Sequence, residues 1–254
     1  MIEKVADLLD RCRSKSDTVM PRTELFNEGW LLRVVLDWYS HQRNLDSPFA
    51  FEQGAKWYSE GRLSSPFLAR HKGDQCAEKH TNADGIIGHF SFCPDTRSGI
   101  KPDSNATQLV VVEAKLGSGL SEGIKNAPYY NQVARNACCL AHIASKAGIT
   151  QDSLTKLAFY VVAPESRVNN PKSKADKKLR EWTTKSSIKK KVKNRAEDYG
   201  KEEEWYEDKF LPFLEVMCVK LITWEDILSD MESSAAGTEY RAFYDKCKCA
   251  NLVK

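Results

Sequence analysis

The run VVVEAKLG sets Glu113 and Lys115 two residues apart with Ala114 between them. Side chains alternate along a β-strand with a period of two, so the glutamate and the lysine share one face while Ala114 points to the other. Placing both charges on one face of so apolar a strand costs on the order of several kcal/mol unless a metal, a partner charge or solvent in a cleft meets them. Asp84 opens the upstream run DGIIGHFSF. Antiparallel pairing of the two runs would bring its carboxylate beside Glu113. Two hard oxygen ligands suit Mg²⁺, with Mn²⁺ able to substitute; the cation keeps several waters, polarises a phosphate and generates hydroxide, and a neighbouring lysine can hold the attacking water. The plainer alternative is an edge strand carrying a solvated ion pair.

These residues need elements to hold them. Residues 3–13 repeat apolar positions (Val5, Leu8, Leu9, Cys12) at helical spacing, and 23–42 carry Leu25, Trp30, Leu31, Val34, Val35 and Trp38 in 3- and 4-residue steps, with Thr23 as the expected N-cap. A helix is expected near 51–60. Then come the strand DGIIGHFSF, a turn-rich connection over 94–106 and the β-branched strand TQLVVVEAKLG. A helix over about 128–146, with Gly148 near its stop, leads to the strand LAFYVVAP. The basic stretch after it reads as helix in two pieces, followed by the strand VMCVKLITW and the helix EDILSDM. The order α, β meander, α, β, with C-terminal additions, predicts an α/β (α+β) fold around a mixed central sheet flanked by helices. It fits one domain over 1–254, with a core at about 23–164, a basic helical segment at about 170–197 and a C-terminal strand and helices over 210–254.

Asp84, then Glu113-Ala114-Lys115 on a strand, then a helix carrying Gln132, resembles the PD-(D/E)xK nuclease superfamily, which has a restriction-endonuclease-like core. Ala83 stands where the motif's proline would be, and Asn136 where one branch has the tyrosine of QxxxY. The resemblance implies that Asp84 and Glu113 ligate the metal, that Lys115 positions the nucleophilic water, and that Gln132 is the polar residue on the helix after the ExK strand. It also implies a glutamate from the first core helix, assigned to Glu28, with Glu24 one turn earlier. The implied activity is Mg²⁺-dependent hydrolysis of DNA, of a restriction, defence or repair kind. A homodimer would be the natural route to cutting two strands. The rival reading keeps the fold without turnover and binds nucleic acid through the basic segment.

Net charge is only +3, but it is unevenly spread. From Arg167 to Arg195 twelve Lys and Arg face two acids, and an acidic stretch follows. Lys177, Lys178, Arg180, Lys189, Lys190, Lys191 and Lys193, with Trp182 as a stacking face, are the expected nucleic-acid contacts. Cys76, His80, His89 and Cys93 invite a zinc reading, opposed by roughly 13 Å between His89 and Cys93 on a straight strand. The eight cysteines are scattered through a chain too large to need disulfide staples. With no signal peptide and no membrane-length apolar run, a soluble cytoplasmic protein is expected.

Overall fold

The computed structural model describes residues 4, 9, 11, 21–43, 45–117, 127, 129–168, 185–199, 201–232 and 237–251. Lys177, Lys178, Arg180 and Trp182, and most of the helix expected over 3–13, lie outside the described residues. The fold is mixed α/β. Helix α1 (Glu28–Ser40) precedes β1 (Lys56–Leu63), β2 (Thr81–Gly88), a small hairpin of β3 (Phe90–Phe92) and β4 (Ile100–Pro102), and β5 (Gln108–Ala114). Helix α2 (Gln132–Lys146), β6 (Lys156–Ala163), α3 (Lys185–Tyr199), β7 (Cys218–Thr223), α4 (Trp224–Glu232) and α5 (Gly237–Asn251) follow.

The five-stranded sheet runs β1-β2-β5-β6-β7. Strand β2 runs antiparallel to both its neighbours, β1 and β5, whereas β6 and β7 join β5 in parallel. All seven residues of β5 are buried, as expected of a central strand with helices on both faces. Leu109 and Val111 face a layer containing Val133, Ala137 and Leu140 of α2, while Val110, Val112 and Ala114 face Leu32, Leu36, Trp224 and Tyr244 on the other side. The period of two therefore assigns Glu113 to the α2 face.

Several expectations change. Helix α1 starts at Asn27, whose side chain accepts from the Trp30 amide at 2.9 Å, rather than at Thr23. Its buried face is Leu31, Leu32, Val35, Leu36 and Tyr39, leaving Trp30 outside. Residues 56–63 form an edge strand instead of the end of a helix, entered through a turn in which Gly54 takes φ 83°. The connection over 94–106 holds β4, which pairs with β3. Helix α2 begins at Gln132 because Asn131 caps it, accepting from the Ala134 amide at 3.0 Å, and Gly148 follows it at φ 75°. The fifth strand of the sheet, β7, comes from beyond residue 164. The seven described cysteines are free. Among the described residues no helix is long and apolar enough to cross a membrane.

His142 of α2 lies against Trp205, with ring centroids 6.3 Å apart. Burial, aided by Lys146, pulls its pKa down to about 4. The unfolded chain takes up this proton near pH 6.5 and the folded one resists it, so this site subtracts stability progressively as pH falls from about 6.5 to about 4. Urea titrations of wild type and His142→Gln should diverge across that window and run parallel above pH 7; parallel curves throughout would remove His142 as the cause.

Candidate active site

The strand register brings three carboxylates into one row. Gly85 pairs with Val112, so one further antiparallel step sets Asp84 opposite Glu113. On its other side, Asp84 falls opposite Glu60, between the pairs Ser59–Gly85 and Gly61–Ala83. Asp84 is fixed by its Oδ2, which accepts from the Ala114 amide at 2.8 Å. Glu60 has φ 58°, a left-handed conformation costing a non-glycine residue roughly 1–2 kcal/mol. That distortion sits in the middle of β1, beside the candidate centre.

Glu113 is only 1% exposed. Its Oε1 receives the Lys115 ammonium and the Gln132 amide, each at 2.5 Å. Its Oε2 is buried and receives no hydrogen bond while Glu113 is ionised, and the carboxyl lies close enough to Asp84 to donate to it when protonated. Burial, then the charge of Asp84, pushes its pKa up to about 7, with Lys115 pulling the other way. Lys115 sits one residue past β5, its amide bonded to the Val162 carbonyl at 2.8 Å and its own carbonyl accepting from the Trp224 indole at 2.9 Å. Burial works against its ammonium, but Glu113, Asp84 and Glu28 outweigh burial and raise the pKa. Lys115 therefore keeps its proton. Glu60 is also held above the usual carboxylate range, first by burial and then by Asp84, with Arg33 opposing.

Asp84, Glu113, Lys115 and Gln132 thus converge. Glu28, the first residue of α1, is half-buried and close enough for its charge to act on Lys115. Glu24 belongs to a separate 3₁₀ turn, Arg22–Glu24, and is exposed. Sequence reasoning missed Glu60, because nothing in GAKWYSEGRL marks it off from a surface glutamate. Its one available signal was position, one glycine before the strand's inward-facing end.

The row is suited to a divalent cation. Charge is the first reason: Asp84, with Glu113 and Glu60 when they are ionised, faces Lys115 and, at the Glu60 end, Arg33. The orphaned Oε2 is the second, since a buried carboxylate oxygen without a donor costs on the order of 1–3 kcal/mol or more. Among the described residues no three His, Cys, Asp or Glu side chains gather closely enough to hold a metal by themselves. Asp84 and Glu113 would hold it, leaving the remaining positions to water and phosphate, which suits Mg²⁺. His89 of the zinc reading is engaged elsewhere, its Nε2 lying 3.0 Å from the Gln53 carbonyl.

The basic segment divides into two faces. Ile188, Lys191, Val192 and Arg195 of α3 point inward. Lys191 donates to the Cys76 carbonyl at 2.8 Å and lies 3.9 Å from Glu78, so it is a packing residue and not an exposed nucleic-acid contact. Arg195 donates to the carbonyls of Phe67, Leu68 and Cys76 at 3.0–3.1 Å. Lys189, Lys190 and Lys193 remain exposed. Lys189 pairs with Glu207 at 3.7 Å, and Lys190 lies 4.5 Å from the ring of Tyr129, just before the start of α2.

Comparison with protein-family models, with curated proteins and with solved structures finds no match to this chain. Its own geometry therefore carries the functional argument.

Two outcomes follow. Excess Mg²⁺ or Mn²⁺ should raise the melting temperature of wild type, by an amount equivalent to about 2.7 kcal/mol at 100 times Kd, but not that of Glu113→Gln; an unmoved wild type would count against a cation here. Arg195→Ala should cost about 3–5 kcal/mol in urea unfolding because it removes a buried guanidinium shared by Asp74, Glu202 and the carbonyls of Phe67, Leu68 and Cys76, while Lys193→Ala should stay within roughly 0.5 kcal/mol.

Proposed function

We propose that this chain is a Mg²⁺-dependent nuclease of the PD-(D/E)xK type, with a restriction-endonuclease-like core, hydrolysing phosphodiester bonds in DNA. The observation that carries the reading is Glu113: a buried carboxylate with one oxygen bound by Lys115 and Gln132 and the other without a donor, directly across from Asp84. The antiparallel β1-β2-β5 unit, the parallel β6 and the helices on both faces agree with that fold family.

A Mg²⁺ ion held by Asp84 and Glu113 would supply Lewis-acid polarisation of the scissile phosphate and lower the pKa of a bound water. The chain's own groups do the positioning. Lys115, kept protonated by its acidic neighbours, orients the attacking water and offsets the negative charge that grows on the phosphoryl oxygens. Gln132 fixes the Glu113 carboxylate from the other side, so its orphaned oxygen stays aimed at the cation site. Glu28 sits within electrostatic reach of Lys115, where it can accept a hydrogen bond from the water. Attack on phosphorus breaks the P–O bond opposite the incoming water; the leaving oxygen takes up a proton and the water gives one up to solvent. Lys189, Lys190 and Lys193 would hold the flanking phosphates, and a homodimer would bring two such centres to a duplex.

Cleavage of linear, circular and single-stranded DNA with Mg²⁺ or Mn²⁺ is the direct test. Wild type should cut only with metal. Glu113→Ala and Lys115→Ala should each lose on the order of 10²-fold or more in rate, and Lys115→Ala should also lower the melting temperature at pH 8 because it leaves the buried Glu113 carboxylate without its cation. Metal-dependent cutting that survives Glu113→Ala would remove this centre as its source, and absence of cutting on all three substrates would shift the reading to a fold that binds without turnover.

A further inference from the structure

The first turn of α1 carries a feature that the phosphodiesterase reading does not use. Trp30 is 43% exposed, and among the described residues only Phe92 and Val216 are large apolar side chains exposed to a similar degree. It is not loose. The Arg33 guanidinium lies 5.0 Å from the centre of its ring, and Arg33 is itself anchored by donating to the Ser59 hydroxyl at 2.9 Å. The backbone of Trp30 is held as well, since its amide donates to the N-cap Asn27. The chain thus presents an aromatic ring with a cation against it, pinned on both sides, where an amphipathic helix would be expected to show a polar residue.

The hydrogen bond from Arg33 to Ser59 sets this turn beside the row, because Ser59 precedes Glu60 in β1 and pairs with Gly85, the residue after Asp84, and the charge interactions agree with that placement. Glu28, two residues before Trp30, acts on Lys115. Arg33, three residues after it, acts on Glu60, which faces Asp84 across the β1–β2 pairing. Trp30 is therefore flanked in sequence by residues that reach the centre from two directions.

We propose that Trp30 and Arg33 form a base-stacking and phosphate-contacting subsite on the rim of the centre, and that the substrate class is nucleic acid with an unpaired base next to the scissile phosphate. This rests on the phosphodiesterase reading for what the neighbouring row does. Every nucleobase has a π-face that an exposed indole can cover, and the guanidinium adds an attraction for both the ring and the backbone phosphate. A base inside a duplex has both faces occupied by its neighbours, so the ring can be used only by a single strand, a frayed end or a flap. The acidic row cannot itself attract a polyanion, which makes an aromatic and cationic grip beside it chemically useful.

The test measures anisotropy of a labelled oligothymidine and of a matched blunt duplex, with Ca²⁺ in place of Mg²⁺, for wild type, Trp30→Ala, Trp30→Phe and Arg33→Ala. Trp30→Ala should weaken single-strand binding roughly tenfold, within the range seen for one stacked base. Trp30→Phe should recover most of the loss, duplex binding should hardly change, and Arg33→Ala should lower the salt dependence by about one charge. Because Trp30 is on the surface, its variants should melt with wild type. Single-strand affinity unchanged in Trp30→Ala would overturn the subsite even if the protein cuts DNA. Wild type binding neither probe would overturn both the subsite and the nuclease reading, whereas Trp30-dependent binding without cleavage would sustain the subsite and remove only the hydrolysis.

Discussion

The burial of one carboxylate organises the molecule. Glu113 occupies the end of a strand whose seven residues are all buried, a place where an isolated charge is strongly disfavoured. What surrounds it can be read as the response to that position. Lys115 supplies the opposite charge two residues on. The Asn131 cap starts α2 where Gln132 can donate to the same oxygen, and the Trp224 indole holds the carbonyl of Lys115. Asp84 works in the opposite sense, adding a second negative charge from the next strand. A chain selected only for stability would have avoided that last placement, because an apolar residue at 84 or 113 would relieve the repulsion.

Parts of this arrangement are legible in the amino-acid sequence alone. VVVEAK announces a buried strand through its β-branched run, and the period of two then ties Glu113 to Lys115. Asp84 was recoverable because two adjacent runs joined by a turn-rich segment pair antiparallel, and one register brings the carboxylates together. Glu60 was hidden for two physical reasons. Its strand is an edge with no clean alternation, and a left-handed φ in a non-glycine residue is set by tertiary context rather than by residue type. The turn of α1 was ambiguous for a different reason. Apolar residues line both the 30, 34, 38 and the 31, 35, 39 rows, and only the packing of Leu32 and Leu36 over Gly85 selects between them. Gly85 permits that close approach, since an added Cβ would come within 2.9 Å of a terminal methyl of each leucine and make both side chains shift.

The basic segment teaches a related lesson about charge runs. KKKVKNR reads as solvent-facing, yet Ile188, Lys191, Val192 and Arg195 recur at the i, i+3, i+4, i+7 spacing of a buried stripe. Lys191 and Arg195 are accommodated because Glu78, Asp74 and Glu202 and a set of loop carbonyls wait for them. Such networks contribute little net stability over an apolar replacement, but they leave few alternative ways to dock the helix. Docking α3 in this register turns Lys190 onto Tyr129, next to the helix that carries Gln132, and leaves Lys193 exposed one turn later.

The electrostatic pattern that results has an internal logic. Its centre is acidic, with Asp84, and Glu113 and Glu60 when they are ionised, facing Lys115, and repels a phosphate so long as no cation is present. Its flanks attract one, through Lys190 and Lys193 on the α2 side and through Arg33 with Trp30 on the α1 side. On the proposed function, a strand gripped at the flanks would bring its phosphate to the carboxylates and add oxygen ligands to a cation held there, while the cation would remove the repulsion that the strand otherwise meets. Each then favours the other, and by reciprocity the same coupling free energy applies in both directions. If the proposed function holds, the cation affinity of the free protein is the weaker of its two values, and the acidity of the centre would act as a selection step, a polyanion alone being held at the rim and reaching Glu113 only together with a cation.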